Sequence, residues 1–547
     1  MRSKSMESFA SDSDTIEELV SGNVNRLTVK PLGQNLKTKR GQLIFDACFE
    51  SGNLGKVEAI SYYEYDLHIR ADTCNPKYRV WFNFTVENSS HQQRVIFNIV
   101  NFSKTKSLYR EGMSPLVRSS SRPNWIRIPN KNVFYYRCPE HKKYYVMSFA
   151  FCFDREDDVY QFCYCYPYTY ARLQAYLDEL EKCNYHCFKR ELLGMTVQQR
   201  RVDLITITHP KNVTSNADMK RRTVFITARV HPGETPSSYV CQGFIDFMVS
   251  DHPLAQELRY HLIFKVVPML NPDGVFLGNY RCSLLGFDLN RQWRNPSQWA
   301  HPEIHATKLL LMKLDRSTTM DVNFFVDIHA HSTMMNGFMY GNVFEDEERA
   351  ERQAVFPNLL SRFAEDFSLH QTNFNRDSVK AGTGRRTLGG ILDNHTLCYT
   401  LEVSFFSYTN LTTGETVPYT EARCILCKDL ECAFVVCRSW RTNFSEQMHN
   451  GIVNSSYQYS ETILTICFCL CYIAAPKLNS QGVKVSPSIA KNPKVKDIMA
   501  KRMTKRTENA VACYRTQSFG IEVFLMIVGR SSVKSSLEQS VIRAGIL

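Results

Sequence analysis

Apolar residues alternate with polar ones through much of the first third of the chain. They occupy every second position of residues 80–86, and the same pattern recurs over 95–99 and 144–153. A period of two is typical of β-strands that bury one face. The pattern predicts an antiparallel β-sandwich domain over residues 41–165, preceded by a lead at 1–40.

The hydrophobic period changes after this domain. Residues 170–180 have apolar positions three and four apart, as in a helix, and the stretches beyond them alternate buried strands with helices. Such alternation favours an α/β fold with a mixed, mostly parallel central sheet flanked by helices, here over residues 166–441. The predicted strands are 204–208, 223–229, 261–268, 323–329 and 398–405, and a last helix is predicted at 419–440.

The formal net charge is +12, and most of it lies beyond the two predicted domains. Residues 442–547 contain 13 lysines and arginines against 6 aspartates and glutamates, and we interpret them as a basic tail of uncertain structure. The folded part is only mildly basic, so binding to nucleic acid is not expected. The cluster at 501–506 fits either a nuclear import address or a solvated charge run.

The first 22 residues are acidic and lack a continuous apolar core, which argues against a secretory signal and indicates a disordered lead over residues 1–40. The 19 cysteines are then expected to be reduced thiols in the cytoplasm. The apolar run at 463–475 is shorter than the ~20 residues that span a bilayer, so no stable membrane insertion is expected. We expect a monomer.

Residues 231–234, His-Pro-Gly-Glu, connect a buried strand to a segment rich in helix formers. Zn²⁺ binds imidazole nitrogen and carboxylate oxygen, and a rigid Pro-Gly turn lets both side chains of a His-x-x-Glu unit reach one ion. The motif also arises by chance, and an exposed loop would look the same. His231 and Glu234 are therefore candidate zinc ligands that need a third partner.

A catalytic zinc site needs a third ligand and one position open to water. His329 ends the apolar strand at 323–329, and chemistry collects at strand ends in α/β sheets. Since residues alternate across a strand, His331 could face the same way and is the rival ligand. His301 and His305 could form a pair on a helix, but with no strand end beside them we interpret them as helix-surface histidines.

Near these candidates lie arginines that could bind a carboxylate substrate and an acidic residue that could act as an acid or base. A guanidinium holds a carboxylate through two parallel hydrogen bonds, and an adjacent Asn can share it, as in residues 288–293. A second arginine, such as that ending residues 278–281, can stabilise an oxyanion. Glu402 stands alone in an apolar strand, where a carboxylate is either paired or works as an acid or base, because unpaired burial is costly.

As an ordered set, these motifs resemble the zinc metallocarboxypeptidases of the cytosolic carboxypeptidase family, the tubulin deglutamylases. The motifs are residues 231–234, 271–274, 288–293, 329–332 and the strand around Glu402. The resemblance covers residues 41–440 and implies a β-sandwich ahead of an α/β carboxypeptidase-like domain that shortens polyglutamate chains on tubulin. Stretches that look like one member, whose relatives remove the branch-point glutamate, are 45–58, 81–86, 326–349 and 381–386.

The resemblance implies a role for each residue of the metal site. His231, Glu234 and His329 would bind one Zn²⁺ per chain. Glu402 would act as general base and then as the acid for the leaving amine. Asp288 would be the carboxylate that orients His231.

The same resemblance implies a substrate clamp. Asn290 and Arg291 would hold the terminal carboxylate, and Arg281 would polarise the scissile carbonyl. Either Arg385 or Arg386 would line the pocket for a glutamate side chain.

Pancreatic relatives place an aromatic hydroxyl upstream of the base glutamate. Here no tyrosine occurs between Gln371 and Cys398, and Lys380 at the comparable spacing is only a weak substitute.

Two other functions stay open. A zinc acylase on small N-acyl amino acids would share the His-x-x-Glu site, although the β domain and the Asn-Arg clamp count against it. A catalytically silent tubulin- or nucleic-acid-binding protein would keep the fold, although Glu402 and Arg291 count against silence. The expected partners are glutamylated tubulin tails and other polyglutamylated proteins.

Overall fold

The computed structural model describes residues 22–30, 38–141, 144–214, 220–375, 377–410 and 413–421. The predicted basic tail at 442–547 lies outside these residues, as does the predicted helix at 419–440 beyond Glu421. No helix of the described residues is long and apolar enough to span a bilayer.

The disordered lead predicted for residues 1–40 is wrong for residues 22–30. Val24 and Val29 are buried in the core, and Leu27–Thr28 form a strand that pairs with Ile44–Asp46. The apolar residues are too sparse for the sequence pattern to show a strand, but two buried valines are enough to hold the segment against the domain.

The first domain consists of two β-sheets packed on an aromatic core. Its strands are β1 (Leu27–Thr28), β2 (Ile44–Asp46), β3 (Lys56–Ala59), β4 (Glu64–His68), β5 (Asn83–Glu87), β6 (Gln93–Phe102), β7 (Leu116–Ser119), β8 (Arg122–Arg127), β9 (Val133–Arg137), β10 (Tyr145–Phe153) and β11 (Tyr160–Cys163). One sheet has the order β1-β2-β5-β11-β7-β8 and the other β3-β4-β6-β10-β9. Phe97 on β6 contacts Phe84 and Phe162 of the opposite sheet, with ring centroids 6.2 and 5.5 Å apart.

One pair of strands departs from the predicted antiparallel arrangement. β4 and β6 are parallel neighbours, with Tyr65 beside Phe97. The strand between them in sequence, β5, lies in the other sheet, so the chain returns beside β4 in the same direction.

The second domain is an α/β fold. Its strands are β12 (Phe188–Met195), β13 (Arg201–Ile207), β14 (Arg221–Ala228), β15 (Leu262–Val267), β16 (Met320–His331), β17 (Phe338–Gly341), β18 (Asn373–Phe374), β19 (Leu397–Ser404), β20 (Ser407–Thr409) and β21 (Thr416–Pro418). Its helices are α1 (Tyr170–Lys182), α2 (Lys211–Thr214), α3 (Thr235–Val249), α4 (Pro253–His261), α5 (Pro272–Leu277), α6 (Pro302–Asp315), α7 (Glu347–Phe363) and α8 (Gly384–Ile391). Short 3₁₀ turns occur at Leu108–Glu111, Asn130–Asn132, Leu289–Arg291, Leu369–Gln371 and Ser378–Lys380.

The central sheet has eight strands in the order β12-β13-β15-β14-β16-β19-β17-β18. The inner strands β15, β14, β16 and β19 are parallel to one another. The antiparallel pairs are β12 with β13, β13 with β15 and β17 with β19. This confirms the predicted mixed sheet. β20 and β21 form a separate two-stranded sheet.

Helices cover both faces of this sheet, which explains why its strands read as continuous apolar runs. On β14, Val224 and Ile226 belong to the same buried cluster as Phe244 of α3. Phe225 points the other way, into a cluster that contains Ile304 of α6. Alternate residues of one strand therefore bury against different helices.

The sequence Asn-Pro-Asp-Gly-Val at 271–275 is typical of a turn, but in the structure it begins a helix. Asn271 caps α5 by accepting a hydrogen bond from the backbone N–H of Gly274, 3.0 Å away. Pro272 can occupy the first helical position because its missing N–H would have no partner there. The residues that indicate a turn are thus also the residues of a helix start.

Candidate metal centre and active site

The turn after β14 brings the first two candidate ligands together. Glu234 lies at the start of α3, and the backbone N–H of Gly233 donates to the carbonyl of Tyr280, 2.7 Å away. A Cβ at Gly233 would lie 2.5 Å from the ring of Tyr280, so only glycine permits this approach. The close packing fixes the turn between His231 and Glu234.

Three candidate ligand side chains converge at this turn. His231 Nδ1 lies 2.7 Å from Glu234 Oε1, and His329 Nδ1 lies 2.9 Å from Glu234 Oε2. All three residues are buried, and their ligand atoms lie within 4.8 Å of one another. Among the described residues, this is the one group of three or more His, Cys, Asp or Glu side chains arranged to hold a metal ion.

Each histidine has a carboxylate on its other ring nitrogen. His231 Nε2 lies 3.1 Å from Asp288 Oδ1, and His329 Nε2 lies 2.8 Å from Asp327 Oδ2. Carboxylates in this position fix the ring orientation of a metal-binding histidine and raise its basicity. Asp288 is among the residues expected from the sequence. Asp327 is not, although it stands two residues before His329 and so on the same side of β16.

The donors fit Zn²⁺ by their chemistry, since two imidazole nitrogens and one carboxylate are a common catalytic set for this ion. Burial raises the pKa of Glu234, but the two histidines outweigh it and hold that pKa well below its usual range. Burial lowers the pKa of His329, and Asp327 together with Glu234 reverses this to a raised value. Glu234 therefore stays ionised and stabilises positive charge on His329, where a bound metal ion would replace the proton.

The rival histidines lie apart from this cluster. His331 Nδ1 accepts a hydrogen bond from Thr333 Oγ1, 3.2 Å away, and its ring packs on Phe338. Burial, with a further contribution from Lys104, lowers the pKa of His331 to about 4.

The histidine pair at 301 and 305 is not a metal pair. His301 precedes α6, and its Nδ1 accepts from the backbone N–H of Ser297 at 3.1 Å. The interpretation of His301 as a helix-surface residue is wrong, because its side chain is buried against Phe287.

Glu402 lies beside the metal ligands on the neighbouring strand. In the β16–β19 register, His329 pairs with Glu402. Burial raises the pKa of Glu402 to about 7, although His329 lowers it. A carboxyl group with a pKa near neutrality can both accept and donate a proton at physiological pH.

Arg281 is held between the two domains. Its Nε donates to Asp288 Oδ2, 2.8 Å away, and its backbone N–H donates to Asp72 Oδ2 at 2.7 Å. Asp72 also accepts from the backbone N–H groups of Tyr280 and Cys282. The β domain therefore fixes the segment that carries Arg281, a contribution that no sequence motif indicates.

Asn290 and Arg291 follow Asp288 in a 3₁₀ turn at the rim of the centre. Asn290 Nδ2 lies 3.1 Å from His329 Nε2, and its Oδ1 accepts from the backbone N–H of Gly384 at 3.0 Å. Arg291 donates to the carbonyl of Asn290, and its side chain remains 28% exposed. The guanidinium of Arg291 is thus accessible to a carboxylate, whereas Asn290 is buried.

The two candidate pocket arginines have different surroundings. Arg385 is buried and donates to the carbonyl of Gly341 and to Asn342 Oδ1, whereas Arg386 is half-buried and donates to the carbonyl of Asp377. Burial lowers the pKa of Arg385 to about 10, and the charge of Glu402 acts in the opposite direction. The charges of Arg385 and Glu402 therefore attract each other.

Lys380 and Arg385 lie over the same aromatic ring. Lys380 Nζ is 4.5 Å and Arg385 Cζ 6.0 Å from the ring centroid of Tyr340. Burial lowers the pKa of Lys380, and Arg291 and Arg281 lower it further, while Glu402 raises it. Lys380 therefore belongs to the site, as a cation rather than as a replacement for a hydroxyl.

Comparisons with known proteins agree with this geometry. A family described as zinc carboxypeptidase matches residues 173–413, and one described as cytosolic carboxypeptidase N-terminal domain matches residues 45–161. The zinc cofactor implied by the sequence is confirmed by the first family together with the His-Glu-His cluster.

Curated relatives match over most of their length. Cytosolic carboxypeptidase 6 of Mus musculus is 66% identical over 405 residues, which are 74% of this chain and 75% of the relative. The protein of that name from Homo sapiens is 65% identical, covering 74% and 80%, and that from Caenorhabditis elegans 53%, covering 68% and 80%. The stretches that resemble a single member point to cytosolic carboxypeptidase-like protein 5, whereas these relatives are named cytosolic carboxypeptidase 6, so the family is confirmed and the member is corrected.

Solved structures share the fold. The metallo-carboxypeptidase from Burkholderia cenocepacia aligns with a TM-score of 0.59 at 20% identity, covering 79% of this chain and 98% of its own. A metallo-carboxypeptidase from Pseudomonas aeruginosa aligns with a TM-score of 0.58 at 19% identity, covering 79% and 100%. With both domains matched in order and such identity to the curated relatives, this chain belongs to the cytosolic carboxypeptidase family of zinc carboxypeptidases.

Proposed function

We propose that this zinc carboxypeptidase removes glutamates from the carboxyl ends of polyglutamate chains on proteins, with glutamylated tubulin tails as the chief substrate. The observation that carries the proposal is the pair of cations beside Glu402. Within the described part of the chain, neither Lys380 nor Arg385 has a carboxylate within salt-bridge distance. Buried or half-buried cations without a counter-ion favour an anionic ligand.

The substrate's two carboxylates would be bound by different groups. The exposed guanidinium of Arg291 suits the terminal carboxylate, which a planar fork can hold through two hydrogen bonds. Arg385 and Lys380, over the ring of Tyr340, suit the carboxylate of a glutamate side chain. Asn290 stabilises this clamp, because its Oδ1 accepts a hydrogen bond from the backbone N–H of Gly384, one residue before Arg385.

The reaction needs a base, an acid and oxyanion stabilisation. When bound at His231, Glu234 and His329, zinc supplies a Lewis acid that polarises a carbonyl and acidifies water. Glu402 takes the proton from the attacking water and passes it to the leaving amine, which its near-neutral pKa permits. Arg281, held by Asp288 and Asp72, stabilises negative charge on the scissile oxygen.

The choice of tubulin as substrate and of the cytoplasm as location has separate grounds. Tubulin follows from the resemblance of the motifs, and the cytoplasm follows from relatives that are named cytosolic. Removal of the branch-point glutamate depended on the likeness to member 5. We therefore restrict the proposal to linear chain ends and make the branch point an outcome of the test.

The test is to incubate the purified zinc-loaded protein with matched peptides and weigh the products. One peptide ends in a linear glutamate chain, one carries the same chain on a branch, and a control ends in glutamine. We expect stepwise loss of glutamate from the chains, no loss of glutamine, and no reaction with a chelator. A small N-acyl amino acid is tested in parallel, and hydrolysis of this compound alone would favour an acylase. Unchanged masses of all four compounds would favour a silent binding protein.

A further inference from the structure

The β domain places a lysine next to the metal-binding strand of the other domain. Lys104 follows β6, and its Nζ donates to Tyr280 Oη, 2.6 Å away, and to Ser332 Oγ. Tyr280 precedes Arg281, and Ser332 comes three residues after His329. The ammonium group therefore stands at the wall of the active site.

The backbone of this lysine is fixed from both sides. The hydroxyl of Tyr135 donates to the carbonyl of Lys104 at 2.6 Å. Four residues on, the backbone N–H of Leu108 donates to the carbonyl of Ser332 at 3.1 Å. A side chain anchored in this way can present its charge at a defined point, as recognition requires.

The charge of Lys104 is only partly satisfied. Its hydrogen-bond partners are two neutral hydroxyls, and no carboxylate among the described residues forms an ion pair with it. An ammonium has three donors, so one remains for a ligand. The half-buried position makes an acidic ligand the most favourable partner, because a partly desolvated charge gains most from an opposite one.

The position fits the substrate residues upstream of the scissile bond. His329 to His331 are extended and Ser332 follows at a bend, so Ser332 lies at most about 10 Å from His329 at about 3.3 Å per residue, which is within the length of three substrate residues. The other cations of the site, Arg291, Lys380 and Arg385, are already proposed to bind the terminal glutamate. Lys104 instead belongs to the β domain, and its ammonium group is held by hydrogen bonds to Tyr280 and Ser332.

A cavity is lined by residues that follow Lys104 and Ser332 along the chain. It has a volume of about 400 Å³, and its lining includes Leu108, Thr333 and Met334. The lining also includes Glu111, which would repel carboxylates further along. Any preference for acid is therefore confined to the residues nearest the scissile bond.

We propose that Lys104 of the β domain determines specificity by binding a carboxylate of the first or second substrate residue upstream of the scissile bond. The enzyme would then require an acidic chain, and a single terminal glutamate would not suffice. This inference rests on the proposed function, since it concerns the same cleft and the same class of substrate.

The test compares kcat/KM for two peptides that differ only upstream of the terminal glutamate. One ends Glu-Glu-Glu and the other Gln-Gln-Glu. A charge-assisted hydrogen bond should make the wild-type enzyme prefer the first about 10- to 100-fold. Lys104→Met should reduce that ratio to near one, mainly by slowing the acidic peptide, whereas Lys104→Arg should retain it.

Two further variants sharpen the test. Lys106→Met is the matched control, because Lys106 is exposed in the same loop, and it should leave the ratio unchanged. Lys104→Glu should favour a peptide ending Lys-Lys-Glu over the acidic one. If the methionine variant does not fold, Lys104→Gln removes the charge and can still hydrogen-bond to Ser332.

The outcomes separate this inference from the function on which it rests. Equal wild-type rates on both peptides, or an equal loss on both in Lys104→Met, would show that the lysine only ties the domains together. Turnover of the Gln-Gln-Glu peptide would then still support the proposed function. No turnover of any glutamate-ended peptide would overturn both.

Discussion

Arg229 Nε donates a hydrogen bond to the carbonyl oxygen of Pro232, 2.7 Å away, inside the turn that carries two metal ligands. The same guanidinium reaches Tyr168 and Ser238, so it connects the turn to the chain on both sides. The backbone of Arg229 has φ +58°, which is unusual for a residue other than glycine. A left-handed residue of this kind persists only where its surroundings fix it.

Loss of this guanidinium should loosen the metal site. We expect Arg229→Met to lower the free energy of unfolding by about 2–4 kcal/mol, because buried acceptors lose their donors, and to weaken zinc binding. Denaturant unfolding and a zinc titration measure the two effects. Arg122→Met removes an exposed arginine paired with Asp154 and should cost less than about 1 kcal/mol. Equal effects of the two changes would contradict the role of Arg229.

Removing the base and removing a ligand should have separable consequences. Glu402→Gln should retain one zinc per chain but lose about 10²–10⁴-fold in kcat/KM, because proton transfer is lost. His231→Ala should lose both the metal and the activity. A chelator should reproduce the histidine variant, and added zinc should then restore the wild type. Normal turnover by Glu402→Gln would refute the proton-transfer role.

The two carboxylates behind the histidines should differ in their effects. Asp327→Asn should weaken zinc affinity about 10–100-fold through His329 and leave kcat of the zinc-saturated enzyme nearly unchanged. Asp288→Asn should also lower kcat, since Asp288 holds Arg281 as well as His231. Kinetics at limiting and saturating zinc distinguish the two. Full recovery of Asp288→Asn at saturating zinc would mean that Arg281 does not depend on it.

The pH profile should report the charge of Lys380. Glu402 must be ionised to act as base, so kcat/KM falls as pH decreases through its pKa, which burial raises to about 7. Lys380 lowers that pKa, so Lys380→Met should move the acid limb to higher pH and Lys380→Arg should restore it. A bound zinc cation lowers the pKa of Glu402 alike in the wild type, Lys380→Met and Lys380→Arg, so the three acid limbs keep their order. Coincident acid limbs would place Lys380 too far from Glu402.

Only one of the two adjacent arginines should select for glutamate. Arg385→Met should lower kcat/KM on a glutamate-ended peptide at least about 10-fold and improve it on a leucine-ended one, because the pocket loses its buried charge. Arg386→Met is the matched control and should change neither peptide appreciably. The reverse result would assign the pocket to Arg386.

Short-range features of this protein followed from the sequence. The His-x-x-Glu spacing places His231 and Glu234 on one turn, because a few residues of constrained backbone leave little freedom. The five strands predicted for the second domain occur within a few residues of their expected bounds, because strands buried on both faces are continuous apolar runs. Two of the failures were also local, at residues 22–30 and at the helix that follows Asn271. The parallel pairing of β4 with β6 and the burial of His301 against Phe287 instead depend on how distant segments pack.

The tertiary structure decided which long-range partners meet. Alternation gave His329 and His331 the same face, and only the position of Glu234, 95 residues away in sequence, selects His329. Similarly, the sequence does not distinguish Arg385 from Arg386, and only the fold buries the first of them. The residues around Lys104 also do not indicate that it contacts a site in another domain. Periodicity specifies which side of an element a residue faces, whereas its partner there depends on how distant segments pack.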